Sequence, residues 1–225
     1  MASWAFCVGI LLTSETSSLV AQTTTVQSTA NIFSAGLSTP VAPAGGGAGL
    51  LPVLFSVSPG VGYQFRASGT MTCDGFDFSQ PDGWPTTPMT INSYSGVSGY
   101  LGPAFSLAGV FLTSAPLQAP APGTLDFRST GLGINFNSLS PQIGQIFFIG
   151  DGQNAAALNQ TFYAPAGATR LFLGLPDCYQ GSSDPGFYGD NSGSFSVTVT
   201  PEPGSAALLL FGFAIVGARR KRSSR

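Results

Sequence analysis

Carboxylate and amide side chains cluster in two nearby segments of the C-terminal third of the chain. Asp177 follows the alternating apolar segment 170–175, and Asp190 with Asn191 lies just ahead of a second alternating segment. Because each group adjoins a predicted strand, we expect their oxygens to gather at one end of two neighbouring strands. Ca²⁺ binds about six to eight oxygens from Asp, Asn and backbone carbonyls, so this set predicts a hard-cation site and disfavours zinc or copper. The alternative is that these residues form an ordinary tight turn.

His is absent from the 225-residue chain. Its absence removes Ser-His-Asp and Cys-His nucleophile arrangements, His-ligated zinc sites and the commonest general base near neutral pH. We therefore expect a protein that is not an enzyme. The main alternative is glycoside hydrolysis by the acidic loop that contains Asp74, Asp77, Asp82 and Trp84, because paired carboxylates beside an aromatic ring suit that reaction. Acidic residues in loops are more often simply solvated.

Basic residues are concentrated at the C-terminus. Five of the eight basic residues lie among the last seven positions, whereas residues 22–200 carry eight Asp against three Arg, a net charge of −5. This field attracts cations and repels phosphates. Because nucleic-acid binding needs clustered Lys and Arg along one face, we expect no nucleic-acid partner.

The middle of the chain alternates apolar and polar residues over short segments. Within 61–67, Tyr63 and Phe65 fall on one face and Gln64 and Arg66 on the other, which is the period of a half-buried strand. Further predicted strands cover 51–57, 105–112, 145–149, 160–163, 170–175 and 194–200. The chain has 30 Gly and 17 Pro, which disfavours long helices. We predict an all-β fold, an antiparallel β-sandwich over 51–200.

Residues 22–50 precede this predicted domain. They are rich in Ser, Thr and Gly and end in the small-residue run 44–49. Because no Lys followed by Ser or Thr comes after the glycines, the run is not a phosphate-binding loop. Its composition favours a flexible connector.

The N-terminal segment 1–21 has the layout of a signal peptide. Residues 2–12 form an apolar run, and Leu19, Val20 and Ala21 form a small-residue cleavage site, as in exported proteins. No Lys or Arg precedes the run, so the usual basic start is missing. We expect export, with a buried N-terminal strand as the alternative.

The C-terminal segment 201–225 combines three features in order. Pro201, Glu202 and Pro203 precede an apolar stretch of 15 residues at 204–218, and a basic end follows it. The basic end begins with Arg219, Arg220, Lys221 and Arg222. The stretch is short for a membrane core, but flanking arginines can extend it. We expect a C-terminal hydrophobic helix in the membrane, with the arginines on the cytoplasmic side.

These three features resemble the PEP-CTERM sorting tail of exported bacterial proteins. The resemblance implies recognition by an exosortase-type membrane peptidase and cleavage near Pro201 to Pro203. It also implies a final place at the cell surface or outside the cell, often in bacteria that make exopolysaccharide. A plain tail anchor is the alternative, since the apolar length alone does not separate the two.

The segments 57–73 and 164–200 resemble the calcium-dependent galactophilic lectins of the PA-I type, which have a galactose-binding-like jelly roll. The closing strand of that family is similar to 188–197 here. The resemblance implies five calcium ligands: the side chains of Asp177, Asp190 and Asn191 and the backbone carbonyls of Phe187 and Cys73. Asp177 supplies two oxygens and each of the other four ligands supplies one, which makes six. One or two coordination positions then remain for water or sugar hydroxyls. The lectins' sugar-contacting His has no counterpart in this chain, so the resemblance does not establish which sugar would bind.

The same resemblance places Cys178 close to Cys73, because the residue before Cys178 shares an ion with Cys73. Cys7 lies in the predicted signal peptide, which leaves these two as a pair. A disulfide between them is then plausible in an exported protein. Two unpaired buried thiols are the alternative.

Taken together, the sequence predicts an exported, non-catalytic surface or matrix protein that binds a polysaccharide through Ca²⁺. Trp84 is a further candidate for contact with a sugar ring. Asp151, in a Gly-Asp-Gly turn, is a candidate for a second cation site. A purely structural matrix protein without a ligand is the competing hypothesis, and a glycoside hydrolase is the third.

Overall fold

The computed structural model describes residues 20–76 and 78–202. The predicted signal peptide falls outside this range except for its last two residues, and the predicted hydrophobic helix at 204–218 falls outside it entirely. Within the described ranges, no helix has the length and apolar character needed to cross a membrane.

The described residues form thirteen strands and three single-turn 3₁₀ helices. The strands are β1 Gln22–Gln27, β2 Val53–Ser56, β3 Gly62–Thr72, β4 Phe78–Ser79, β5 Trp84–Ile91, β6 Tyr100–Ala104, β7 Ala108–Leu112, β8 Ser138–Leu139, β9 Ile146–Phe148, β10 Thr161–Tyr163, β11 Arg170–Gly174, β12 Ser182–Ser183 and β13 Ser192–Pro201. The 3₁₀ helices cover Ile32–Ser34, Tyr179–Gly181 and Tyr188–Asp190. The predicted all-β fold is confirmed.

Two sheets form the sandwich. The larger has the order β1-β13-β3-β10-β8, with β4 paired to β3, and the smaller has the order β2-β11-β7-β9. Most pairs are antiparallel, whereas β10 and β8 run parallel. Along β3, Tyr63 and Phe65 are buried while Arg66 is exposed, as the alternation predicts.

Aromatic rings fill the space between the sheets. Phe162 of β10 stacks on Phe147 of β9 with ring centroids 5.2 Å apart, and Tyr63 of β3 lies 6.4 Å from Phe111 of β7. Each contact joins one sheet to the other. Burial of a side chain of this size contributes about 2–3 kcal/mol, so these rings account for much of the attraction between the sheets.

Residues 22–50 belong to the sandwich, so the flexible connector predicted there is wrong. β1 pairs with β13 from Gln22 opposite Val199 to Gln27 opposite Ser194, and Ile32 and Phe33 are fully buried. The composition misleads because β1 is an edge strand with a solvated face. Its threonines suit a half-exposed strand as well as they suit a linker.

A third, smaller sheet packs beside the sandwich, with the order β12-β5-β6. β5 and β6 are antiparallel, with a register irregularity between Trp84 and Pro88. Sequence alternation did not predict these strands, because prolines interrupt both and most of the residues of β5 are exposed. This sheet supplies one wall of a large cavity.

Candidate functional site

A cavity of about 610 Å³ lies where the three sheets meet. Cys73, just after β3, and Asp177 with Cys178, shortly after β11, line it. Phe187 and Asp190, from the loop ahead of β13, complete this side, and Trp84 of β5 lies on another wall. Four of the five predicted calcium ligands and the predicted sugar-contacting Trp therefore lie around one cavity.

The strands that bring these residues together are not neighbours in one sheet, contrary to the sequence-based expectation. Asp177 follows β11 of the four-stranded sheet, whereas Asp190 precedes β13 of the six-stranded sheet. Their loops meet because the sheets are packed face to face and both strands have these ends at the same rim. The candidate site therefore bridges the two layers of the sandwich.

Asp177 is a carboxylate buried deep in this rim, with 3% of its surface exposed. One oxygen, Oδ1, accepts a hydrogen bond from the backbone N–H of Cys178 at 2.7 Å, and Oδ2 accepts one from Asn191 Nδ2 at 2.7 Å. Burial raises the pKa of Asp177 from its ordinary 3.8 to about 8, and the nearby charge of Asp190 adds to the effect. A buried carboxylate without a cationic partner is costly to ionise.

Asn191 lies beneath Asp177 and is not part of the cavity lining. Its Nδ2 bridges Asp177 and the carbonyl oxygen of Ser28, the latter at 3.2 Å. Its own Oδ1 is buried and has no hydrogen-bond partner, an uncommon situation in a protein interior. The amide therefore presents its nitrogen, rather than the oxygen a cation requires, to the carboxylate.

The donor set contains only two carboxylates, and in residues 20–76 and 78–202 no three Asp, Glu, Cys or His side chains form a group able to hold a metal ion. The oxygens that remain are neutral amide and carbonyl groups. These are ordinary ligands for Ca²⁺ but poor ones for soft metals. The oxygens of the five predicted ligands are therefore of the kinds that Ca²⁺ accepts, although the Cys73 and Cys178 thiols line the same cavity.

Cys73 and Cys178 are both free thiols, so the predicted disulfide is not formed. Both cysteines line the cavity. The Cys178 thiol interacts with Ser183 and with the backbone of Gly181. Burial raises the pKa of each thiol to about 11, which disfavours the thiolate needed for disulfide exchange.

Two aromatic pairs form the apolar walls. Trp84 and Phe105 meet edge to face with centroids 4.9 Å apart, and Tyr179 lies 4.7 Å from Phe187. All four rings line the cavity, and Tyr179 is 48% exposed. Sequence analysis identified Trp84 but missed Phe105 and Tyr179, because neither lies in a recognisable motif.

The backbone around the cavity adopts unusual conformations. Phe105, Gln180 and Phe187 have positive φ angles of 57°, 49° and 69°, a region that residues other than Gly seldom occupy. All three line the cavity, whereas only two other described non-Gly residues share this conformation. Such residues concentrate at functional sites, where the surrounding structure compensates for the strain.

The glycine run predicted to be a flexible linker instead holds the loop that carries Phe187. The backbone N–H groups of Phe187 and Gly189 donate to the carbonyls of Gly45 and Gly46, each at 2.9 Å. A Cβ on Gly46 would lie 2.5 Å from Cγ of Phe187. The glycines are therefore needed for the two backbones to approach closely.

Asp82 and Asp151 line a separate cavity of about 190 Å³. Asp82 Oδ1 accepts a hydrogen bond from the backbone N–H of Asp151 at 2.8 Å, and burial raises the pKa of Asp82. Asp74 is exposed near the larger cavity, and Asp77 lies outside the described residues. Of the described carboxylates considered for glycoside hydrolysis, Asp82 therefore lines a different cavity from the one near Asp74.

The first two residues of the predicted sorting tail lie at the far end of β13 from the cavity. Pro201 ends the strand and Glu202 follows it, while Pro203 and the four basic residues 219–222 lie outside the described ranges. β13 is ten residues long, and a strand rises about 3.3 Å per residue. The cavity and the start of the tail are therefore about 30 Å apart.

The chain is an exported β-sandwich protein that carries a C-terminal sorting signal. Residues 199–223 match the family model of the PEP-CTERM protein-sorting motif, which implies handling by an exosortase-type system.

Among solved structures, the chain is similar to the domain described as "EclA N-terminal domain; PllA-like lectin". The identity is 15%, the match covers 80% of this chain and 95% of that one, and the TM-score is 0.37. A search of the curated proteins finds no significant match.

Proposed function

We propose that this protein is a non-catalytic component of the bacterial surface or extracellular matrix, and that its large cavity binds a carbohydrate with the help of Ca²⁺. The observation that carries the proposal is the combination of Asp177 and Asp190 with two aromatic pairs around one cavity of about 610 Å³. A cavity of this size accommodates a small sugar.

Both kinds of wall suit a sugar. The exposed faces of aromatic rings pack against the C–H face of a sugar ring, as apolar surfaces with a polar edge do in many binding sites. Carboxylate and carbonyl oxygens accept hydrogen bonds from its hydroxyl groups. Because residues 22–200 carry a net charge of −5, a neutral polysaccharide is the favoured ligand, or an acidic one bridged by calcium.

The proposed calcium ligands are Asp177, Asp190 and Asn191, with the carbonyls of Phe187 and Cys73. Two observations support this proposal. Asp177 is buried without a positive partner among its hydrogen bonds, and the Asn191 oxygen has no partner at all. Rotation of the Asn191 amide would turn its oxygen towards the Asp177 carboxylate. A cation between the two oxygens would stabilise this arrangement, whereas without a cation the oxygens repel each other. Bound calcium would also offer coordination positions to vicinal sugar hydroxyls.

The cavity and the sorting tail lie at opposite ends of β13, which determines how the protein would be oriented at the membrane. Membrane attachment or release takes place at the tail, after Glu202, and the cavity lies at the opposite end of the strand. A protein held by its tail would therefore present the cavity away from the membrane, where polysaccharide is located.

The experiment is binding of the purified protein to an array of neutral and acidic glycans, with Ca²⁺ or with EDTA. We expect binding that EDTA abolishes and that Asp190→Asn weakens at least tenfold. Asp184→Asn is the matched control, because Asp184 is an exposed carboxylate of the same region that does not line the cavity.

Each outcome has a distinct meaning. Binding that survives EDTA retains the carbohydrate part of the proposal and removes the calcium part. Absence of binding under every condition favours the purely structural matrix protein. Hydrolysis of a bound glycan would contradict the non-catalytic assignment.

A further inference from the structure

Pro201 and Glu202, the first two residues of the Pro-Glu-Pro triplet in the sorting motif, are joined to the folded sheet. Pro201 is the last residue of β13 and lies opposite Tyr63 of β3. The backbone N–H of Glu202 donates to the carbonyl of Gly62 at 2.8 Å, which extends the ladder by one more bond. The motif is therefore not a free extension of the domain at this point.

The Glu202 side chain is also held by the domain. Its Oε1 accepts hydrogen bonds from Gln64 Nε2 at 2.6 Å and from Thr161 Oγ1 at 3.1 Å. Gln64 is fixed in turn by Asn159, whose Nδ2 donates to Gln64 Oε1 at 2.9 Å. Thr161 is only 8% exposed, so its hydroxyl has little access to water when Glu202 is in place.

Gly62 provides the space for this carboxylate. A Cβ at position 62 would lie 2.8 Å from Glu202 Oε2 and 2.9 Å from Thr161 Cγ2. Any side chain larger than hydrogen would therefore push the carboxylate away. Glu202 fits a preformed receptor on β3 and β10, which we call the clasp and define as Gly62, Gln64 and Thr161.

We infer that the clasp withholds the sorting motif from the membrane peptidase, and that release of Glu202 from it limits how fast the tail of the folded protein is processed. A peptidase binds an extended backbone through its N–H and carbonyl groups and reads the side chains beside it. Here the Glu202 N–H and carboxylate are already engaged, so the end of β13 must separate from β3 first. The inference rests on the proposed processing by an exosortase-type peptidase.

The test changes the clasp and leaves the motif intact, because substitution of Glu202 would alter recognition by the peptidase as well. Thr161→Val removes one hydrogen bond while keeping the branched shape, Gln64→Ala removes the other, and Gly62→Ala displaces the carboxylate. The matched control is Thr23→Val, which removes the hydroxyl pair between Thr23 and Thr198, 2.8 Å apart on the same sheet.

The full chain is pulse-labelled in a host that has an exosortase-type peptidase, and the half-time of tail removal is measured. A host without the peptidase provides the baseline. Resistance of the processed product to trypsin shows that each variant is folded. We expect each clasp variant to shorten the half-time roughly three- to tenfold, the range expected for one hydrogen bond of ordinary net strength, and Thr23→Val to leave it unchanged.

Two results would overturn the inference in distinguishable ways. If the wild type and the clasp variants lose their tails at the rate of Thr23→Val, processing stands and the clasp does not limit it. If no form loses its tail in either host, the proposed sorting reaction fails and the inference fails with it. The inference is supported if the clasp variants remain resistant to trypsin and lose their tails faster than the wild type, while Thr23→Val does not.

Discussion

The two ends of β13 differ in how well their buried polar groups are satisfied. At its start, Asn191 has a buried oxygen with no partner, and Asp177 is buried without a positive charge in contact. At its end, Glu202 has hydrogen bonds from Gln64 and Thr161 and a backbone bond to Gly62. The same strand thus joins an incomplete polar site to a complete one.

This difference indicates different roles. Buried polar groups that lack partners are expensive, which makes the Asn191 oxygen beside the cavity a candidate for completion by a ligand. Groups that already have partners hold a segment in place and must be released before the segment can act. The start of β13 is therefore suited to binding something from outside, whereas its end is suited to retaining part of the chain itself.

The largest expected effect is on the pH dependence of stability at the incomplete end. Because the folded pKa of Asp177 is raised to about 8, the folded state retains a proton that the unfolded chain releases near pH 4. The free energy of unfolding should therefore fall as pH rises from about 4 to about 8, by an amount on the order of a few kcal/mol.

Thermal unfolding in EDTA across this range measures the slope. Asp177→Asn should flatten it and should raise the Tm at pH 8, since Asn carries no charge to bury. Asp184→Asn should keep the wild-type slope. If Asp177→Asn and the wild type lose stability equally as pH rises, the buried Asp177 carboxylate is not the source of the pH dependence.

The next effect concerns the glycine run that supports the cavity loop. Gly46→Ala adds a Cβ 2.5 Å from the Phe187 ring at a φ of +69°, so it should cost about 2–4 kcal/mol and abolish glycan binding. Gly45→Ala is a close control, because its φ is +81° with open space around the Cβ. That variant should cost only about 1–2 kcal/mol.

Chemical denaturation and glycan binding of the two variants give the comparison. Equal losses of stability and of glycan binding in the two variants would mean that only backbone strain matters at these glycines. Contact with the Phe187 loop would then make no difference.

A smaller effect is expected from the aromatic walls. Trp84→Ala should reduce glycan affinity about tenfold, since an aromatic contact contributes about 1–1.5 kcal/mol beyond simple burial. Calcium affinity should remain unchanged, because no proposed ligand belongs to Trp84. Tyr163→Ala is the control: Tyr163 is an exposed aromatic residue that does not line the cavity. A matching loss of calcium affinity would show that Trp84 supports the fold of the site.

The smallest effect is expected from the thiols. Because Cys73 and Cys178 are free, reducing agent should leave the Tm unchanged, and Cys73→Ser should shift stability by less than about 1 kcal/mol. Thermal unfolding of the exported protein with and without reductant provides the measurement. A drop of several degrees on reduction would show that the two sulfurs pair after export.

Much of the sandwich could be predicted from local alternation. The faces of β3 and β13 follow from the spacing of their apolar residues, because a strand with one buried face repeats every two residues, whereas β11 is buried on both faces. β1 could not be separated from a linker, since a threonine-rich edge strand has no apolar face of its own. The β5 and β6 pair was hidden by Pro85, Pro88 and Pro103.

The candidate site was predictable only in part. Turn-type residues next to two strong strands identified Asp177 and Asp190, and the resemblance to a family added Phe187 and Cys73. The Phe105 wall, the positive φ angles and the packing of the glycine run against the Phe187 loop depend on contacts between segments distant in sequence. Local patterns do not encode such contacts.

The central claim is that a divalent cation completes the site at the start of β13. Calorimetric titration of the purified protein with CaCl₂ at pH 8, close to the raised pKa of Asp177, tests it most directly. We predict saturable binding of one Ca²⁺ per chain that Asp177→Asn abolishes and Asp184→Asn preserves. No binding by the wild type, or equal binding by Asp177→Asn, would contradict the claim.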